Sequence, residues 1–425
     1  MPLHRPSGYL RGFCRLDIEV LRSKEIFDFM GRRLPSGLGE LALQEFSKIL
    51  LIKLSAVGDV VHSIPVLNKL RRRYPSARID WLATPAIAEL LRYHSGITNV
   101  VEFARNEWLR PWRWSAFASS ARLAGKLNAV GYDLVIDLHG QFRTAVFACA
   151  TGAPVRIGFD RPRARVWEAS ERVLPAAARK HAWSGAREGS WVAYTHHIRV
   201  PTLDVHAVDR YLSVGPMLGL DNGAADFSFT IPDSASMRIE ALLRRHGIGD
   251  RLLTIAPGTI WETKHWLSER FAEVARHFIQ NGFGVALMGS GREVPICNEV
   301  ATAAPGVANL AGQTTLPELA ALIRRSTICL TNDSGPMHLA VALARPVVSV
   351  FGPTDALWIG PYRRHDAVLQ ASLPCSPCYL RVLSRCPHDH ACMRAITSPE
   401  VIRRIETVLA DAGQEKPLAP LGLSR

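Results

Sequence analysis

The sequence predicts an α/β protein built from two Rossmann-like domains that face a central cleft. Three observations carry this prediction. Short apolar runs alternate with helical stretches along most of the chain, the pattern of a parallel sheet covered on both faces. The alternation begins again near residue 252, after a polar stretch from Asp221 to Asp233 that contains Pro232. Several of the apolar runs also end in glycine- or serine-bearing polar turns that open helices, the place where open α/β sheets bind ligands.

Residues 1–46 form a prefix in which Leu16 to Met30 has amphipathic helical spacing before Pro35, Gly37 and Gly39 break it. The first half proper starts with KILLIKLSAVGDVVHSIPVLNKLRRR, Lys48 to Arg73, read as a buried strand over 48–54, a polar turn and a helix over 63–73. Strands are then expected at 78–83, 99–103, 134–138 and 155–158. Helices are expected at 86–93, 116–130 and 143–150. An arginine-rich loop follows from Arg161 to Arg165. The stretch from Pro175 to Thr202 is polar and reads as an irregular loop or lid, and 206–218 as one helix.

The second half opens with a helix at 234–246. Strands are expected at 252–256, 284–288, 327–331 and 347–351, and helices at 268–281, 293–303, 315–325 and 336–344, with a last helix at 399–409. The domain boundaries that follow are 1–46 for the appendage, 47–228 and 229–398 for the two α/β domains, and 399–425 for the final helix and tail.

Composition narrows the function classes. Of 425 residues, 48% are hydrophobic and 21% charged, as in a folded domain and unlike a disordered chain. No run of about eighteen uncharged apolar residues occurs, and the first thirty residues lack a signal-peptide core, so a cytoplasmic protein is expected. The net charge of +13 favours an acidic partner: a nucleic acid, an anionic membrane face or a phosphorylated substrate. No Walker loop is present, and no interleaving of aromatic and basic residues marks a nucleic-acid module.

Three turns carry candidate chemistry. Ser55, Gly58, Asp59 and His62 follow the first strand; Asp59 has the chemistry of a general base and equally that of a helix cap. Pro257–Gly258–Thr259 precedes Lys264, whose ammonium suits a phosphate, and Gly289–Ser290–Gly291 forms a similar turn before Glu293. Thr331–Asn332–Asp333–Ser334–Gly335–Pro336–Met337–His338 runs from a strand into a helix whose first amides suit a diphosphate.

These motifs, with DLVIDLHGQFRTA, RIGFDRPRAR and PGTIWETKHWLSERF between KLSAVGDVVHSIPVL and TNDSGPMHLAVALARPVVSVFGPTD, closely resemble the ADP-heptose:lipopolysaccharide heptosyltransferases of glycosyltransferase family nine. The resemblance spans about residues 48–405. It implies a GT-B fold and inverting transfer of heptose from ADP-heptose to the lipopolysaccharide inner core. By the family pattern Asp59 is the general base and Lys264 steadies the departing diphosphate. Thr259, Lys264, Glu293, Asp333, Ser334, Gly335 and His338 are the expected donor-binding residues. His62, Gln141, Arg143, Arg161, Arg163 and Arg165 are expected to face an acidic acceptor. No catalytic metal is expected, because a lysine, arginines and helix amides can meet the charge on a diphosphate leaving group.

The expected partners are the core acceptor and the anionic inner face of the inner membrane, with no nucleic acid. The alternatives are a protein or other glycan as acceptor, and a basic nucleic-acid-binding protein with a metal element. Nothing in the sequence sets the oligomeric state. That metal element would be Cys375, Cys378, Cys386 and Cys392, whose spacing suits a structural zinc, or less readily iron, with His388 or His390 as substitute ligands. Reduced core thiols and disulfide pairing are the other readings of the same four.

Overall fold

Apolar runs of two to six residues lie side by side as two parallel sheets in the computed structural model, which describes residues 40–104, 114–162, 185–200 and 204–414. The first sheet is formed by β1 (Lys48–Ile52), β2 (Arg78–Ala83), β3 (Asn99–Glu102), β4 (Leu134–Asp137), β5 (Val155–Phe159) and β6 (His196–Ile198), in the order β3-β2-β1-β4-β5-β6. The second is formed by β7 (Leu252–Ala256), β8 (Gly284–Leu287), β9 (Ala308–Asn309), β10 (Ile328–Asn332), β11 (Val347–Phe351) and β12 (Val368–Gln370), in the order β12-β11-β10-β7-β8-β9. Read from its own first strand, each sheet has the order 3-2-1-4-5-6. The order reverses between β1 and β4 in one and between β7 and β10 in the other, and those crevices are where such sheets hold ligands.

The helices of the first half are α1 (Val57–Arg73), α2 (Pro85–Leu91), α3 (Trp114–Val130), α4 (Phe142–Ala150), α5 (Ala207–Leu212) and α6 (Gly215–Leu218). Those of the second are α7 (Asp233–Arg245), α8 (Ser268–Gln280), α9 (Val294–Ala303), α10 (Leu316–Arg325), α11 (Gly335–Ala342), α12 (Ala356–Ile359), α13 (Ala391–Arg394) and α14 (Ser398–Gln414). Helices on both faces leave the central strands dry. Leu50, Leu51 and Ile52 of β1 are fully buried, each stabilising the fold by about 2 kcal/mol.

Several expected bounds move for local reasons. Helix α1 begins at Val57, six residues earlier than the sequence suggests; the turn is short, and Pro65 is accommodated inside the helix. The 206–218 helix is two helices, because Pro216 sits in the first turn of α6 and a fresh start is made there. The loop expected over 175–202 contains β6, an edge strand paired to β5 from Ile157↔His196 to Phe159↔Ile198. Strands β9 and β12 are edge strands of two and three residues that apolar patterning did not reveal. Leu41 and Phe46 pack into the first core, and Val401, Ile405 and Val408 of α14 pack into the second. The helix expected at 16–30 lies outside the described residues.

The connection from α6 to α7 is tied to α1. Asn68 Nδ2 donates to the carbonyls of Asp226 (2.8 Å) and Ser228 (3.1 Å). Lys69 Nζ reaches the Asp221 carbonyl and carboxylate and the Gly223 carbonyl, and Arg72 pairs with Asp221 and Asp226.

Candidate active site

The two reversal points face one another because α1 and α11 meet at their first turns. A methyl group added to Gly58 would overlap the His338 ring, and one added to Gly335 would lie 3.0 Å from the Val57 Cβ. Glycine at each position lets a side chain of the other helix lie against the backbone. His62 Nε2 lies 2.9 Å from His338 Nδ1, and the His206 ring stands edge-on to His62 with centroids 5.1 Å apart. Burial, then the neighbouring imidazoles and cations, holds His62 well below its ordinary value. Burial also takes His338 down to about 4 and His206 to about 3. All three are neutral near pH 7. His62, expected to face an acceptor, and His338, expected to face a donor, are committed to each other at the seam.

On the first-half side, Asp59 stands at the third position of α1. Its Oδ2 accepts the Ala56 amide at 3.4 Å, so it does cap the helix, while 47% of its side chain remains accessible. Capping and an open carboxylate therefore coexist. Enclosure by the cleft walls pushes the carboxyl up. Lys53, the Tyr211 hydroxyl, His139 and the Ala56 amide outweigh this and hold it below its ordinary value. Asp59 is thus ionised at neutral pH.

Its neighbours escaped the sequence reading. Lys53 Nζ lies 3.7 Å from Asp59 Oδ1 and donates to the Leu138 carbonyl and the Tyr211 hydroxyl. Tyr211 donates to Asp59 Oδ1 at 2.9 Å. Asp137, buried at the end of β4, accepts the amides of His139 and Gly140 and the Tyr194 hydroxyl, which fixes the turn beside Asp59. A lysine interrupting the apolar run ILLIKL was the available signal for Lys53. Tyr211 had none, since it lies 158 residues away from Lys53 in the chain.

On the second-half side, Lys264 Nζ lies 2.5 Å from Asp333 Oδ2, and Thr354 donates to the same oxygen at 2.6 Å. Lys264 is also 4.4 Å from the Trp261 ring centroid. Asn332, buried at the end of β10, accepts the Trp266 amide and donates to the Pro257 carbonyl, which clamps the 257–266 loop beside α11. Ser334 is the N-cap residue of α11 and Gly335 its first residue; Pro336 carries no N–H and the Met337 amide bonds to the Ser334 carbonyl, which leaves the Gly335 amide for a ligand. A cavity of about 460 Å³ next to this loop is lined by Thr259, Ile260, His265, Ser290, Arg292 and Glu293 among others. Glu293 Oε2 accepts the Ser290 amide at 2.5 Å. His338 is the residue between the two sides, its imidazole feeling Asp59 as well as Asp333 and Lys264.

The expected acceptor residues divide. Gln141 and Arg143 stand together at the start of α4, with Arg143 Nε 3.0 Å from Gln141 Oε1. His139 binds the same oxygen at 3.1 Å and feels the charge of Asp59. Arg161 is exposed beyond β5. Arg163 and Arg165 lie outside the described residues.

The four cysteines do not form the expected ligand set. All are free, and among the described residues no three His, Cys, Asp or Glu side chains are arranged to hold a metal ion. The Cys378 backbone N–H donates a hydrogen bond to the Pro353 carbonyl, whereas Cys392 is turned into the second core beside Met393. They still share a neighbourhood: burial and the other three thiols push Cys392 up to about 11. Their segment supports the lysine loop, since Thr263 donates to the Leu380 carbonyl, Leu383 donates to Glu262, and His390 bonds to the Thr263 carbonyl.

The model of glycosyltransferase family 9 (heptosyltransferase) matches residues 120–184 and 172–386 of this chain. Lipopolysaccharide heptosyltransferase 1 of Pseudomonas aeruginosa is 29% identical over 347 residues, covering 80% of this chain and 89% of that protein. Lipopolysaccharide heptosyltransferase 1 of Escherichia coli is 26% identical over 328 residues, covering 76% and 93%. Among solved structures, a family 9 glycosyl transferase from Veillonella parvula superposes with a TM-score of 0.69 at 22% identity, covering 88% of this chain and all of that one. E. coli heptosyltransferase WaaC with ADP-2-deoxy-2-fluoro heptose superposes at 0.62 and 23%, covering 85% and 99%. These likenesses show the fold, which is of the GT-B type. With the family model spanning well over half of its length, the chain belongs to glycosyltransferase family 9, the heptosyltransferases.

Proposed function

We propose that this glycosyltransferase moves heptose, with inversion, from ADP-heptose to the inner core of lipopolysaccharide. The observation that carries the reading is the meeting of α1 and α11, which sets an ionised Asp59 opposite the Lys264–Asp333 pair with one imidazole between them. In the reaction, Asp59 takes the proton of an acceptor hydroxyl as that oxygen bonds to the anomeric carbon. The bond from that carbon to the ADP oxygen breaks, and the electron pair leaves with ADP. Lys264 has three N–H donors, of which Asp333 uses one, and with the Gly335 amide at the start of α11 it meets the charge that develops on the diphosphate. The Thr259–Glu293 cavity suits the nucleoside, with Asp333, Ser334 and Gly335 at the sugar-diphosphate end.

Names of the relatives support the donor and acceptor classes: lipopolysaccharide heptosyltransferases in the sequence comparisons and an ADP-heptose analogue bound to WaaC. Gln141 and Arg143, with Arg161, Arg163 and Arg165, are proposed to receive an acidic core, and the +13 charge suits an anionic membrane face at the cytoplasmic side. The test is mass spectrometry of products from the full chain, ADP-heptose and a panel of truncated core acceptors. A heptose mass added to one of them is expected; no transfer to any would overturn the proposal. Asp59→Asn is expected to keep donor binding while turnover falls at least about a hundredfold. Turnover in excess chelator is expected to be unchanged, and loss restored by Mg²⁺ would contradict the charge compensation described here.

The four cysteines have the donor chemistry for a structural Zn²⁺, with iron second, but as folded they lack the convergence. Elemental analysis of protein purified without added metal tests that role. One equivalent of metal would mean that the 375–392 segment draws its sulfurs together on binding.

A further inference from the structure

We infer that Tyr211 is a positioning residue for the transfer, selecting which oxygen of Asp59 receives the acceptor's proton. The inference rests on the reading of Asp59 as the base. Lys53 Nζ donates to the Tyr211 hydroxyl at 2.6 Å, and that hydroxyl donates to Asp59 Oδ1 at 2.9 Å. Because an ammonium has no acceptor lone pair, the phenol oxygen must accept from Lys53 and turn its own proton toward the carboxylate. One oxygen of Asp59 is thereby occupied. The other, Oδ2, has only the long bond from the Ala56 amide, and it is the one left basic and free to face a hydroxyl.

Tyr211 is built to hold this direction. It is 7% exposed, its ring lies under Lys53 Nζ at 4.4 Å and beside Phe159 at 6.0 Å between centroids. Burial and the charge of Asp59 push its phenol well up, so it keeps its proton. Helix α5, which carries it, is also fastened to the other half of the molecule. His206 Nε2 lies 2.9 Å from the Gly360 carbonyl oxygen, and Tyr362 donates to Asp209 at 2.8 Å. The element that aims the base therefore also touches the second half of the molecule.

The groups that face Asp59 are Lys53 from β1, Tyr211 and Arg210 from α5, His139 from the turn after β4, the Ala56 amide, and His338 from α11. Removing the Tyr211 hydroxyl takes away one of those holding the carboxyl low. In Tyr211→Phe, which keeps the ring, kcat with ADP-heptose and a heptose-free core acceptor is expected to fall about tenfold or more, with KM for ADP-heptose within about twofold. The acid limb of kcat/KM should move to higher pH by about half a unit or more. Lys53→Met should move it in the same direction, since the cation and the lock on the phenol both go.

A readout that needs no turnover is the carboxyl carbon resonance of Asp59, assigned by its loss in Asp59→Asn and titrated in full-length Tyr211→Phe. An upward shift supports the inference. An unchanged titration together with wild-type kcat overturns it while leaving Asp59 as the base if Asp59→Asn is inactive. Full activity of Asp59→Asn would instead remove the reading on which it rests.

Discussion

At the scale of single residues the site is a set of charges whose neighbours decide what they can do. Lys264 is 9% exposed and tied to Asp333. Replacing it by alanine leaves Asp333 buried without its cation and, on the proposed mechanism, the leaving diphosphate without that ammonium. The expected result for Lys264→Ala is a fall in kcat of about a hundredfold or more, measured under donor saturation. The seam imidazoles give a second expectation. His338 has a folded value of about 4 against about 6.5 when unfolded. Between those values the unfolded chain binds more protons, so its stabilisation is full above about pH 6.5 and is lost as pH falls toward 4. The loss for His338 alone is on the order of 3 kcal/mol. Denaturant midpoints recorded from pH 7.5 to 4.5 should fall across that window, and the fall should be smaller in His338→Gln.

At the scale of elements, α1 and α11 work as a pair because Gly58 leaves room for the His338 ring and Gly335 for the Val57 side chain. Gly58→Ala is expected to cost about 1–3 kcal/mol by forcing the His338 ring from its partner. The same substitution in a His338→Ala background should cost much less, and the difference between the two melts isolates the contact. The elements themselves were largely readable. Strand β11 has the residues expected, 347–351, because it is buried on both faces, apolar but for Ser349, and ends at Gly352–Pro353. Strands β9 and β12 were invisible because two or three residues carry no periodicity, and β6 because His196–His197–Ile198 sits in a polar stretch. The turns holding Asp59, Lys264 and Asp333 were legible, since each breaks an apolar run. The Lys53–Tyr211–Asp59 chain was not, as only folding brings α5 back beside β1. The cysteine spacing suggested a metal site, yet spacing says nothing of side-chain direction, and Cys392 is drawn into the core by its neighbours.

At the scale of the whole molecule, two sheets with one strand order put two ligand crevices mouth to mouth, which suits a reaction between two separately bound substrates. The excess positive charge gives a further expectation. Full-length protein should sediment with vesicles containing anionic lipid, and less so as ionic strength rises, while neutral vesicles should leave it in solution. No helix among the described residues is long and apolar enough to cross a membrane, so such binding would rest on the surface.

The bonds from Asn68, Lys69 and Arg72 to residues 221–228 give the crossing chain a mooring rather than slack. That tie ends at Ser228, short of α7, and runs along the same helix that bears Asp59. A molecule nicked between Gly223 and Asp226 keeps the Asn68 and Arg72 bonds across the cut, beside the α1–α11 seam, and should accordingly still migrate as one particle.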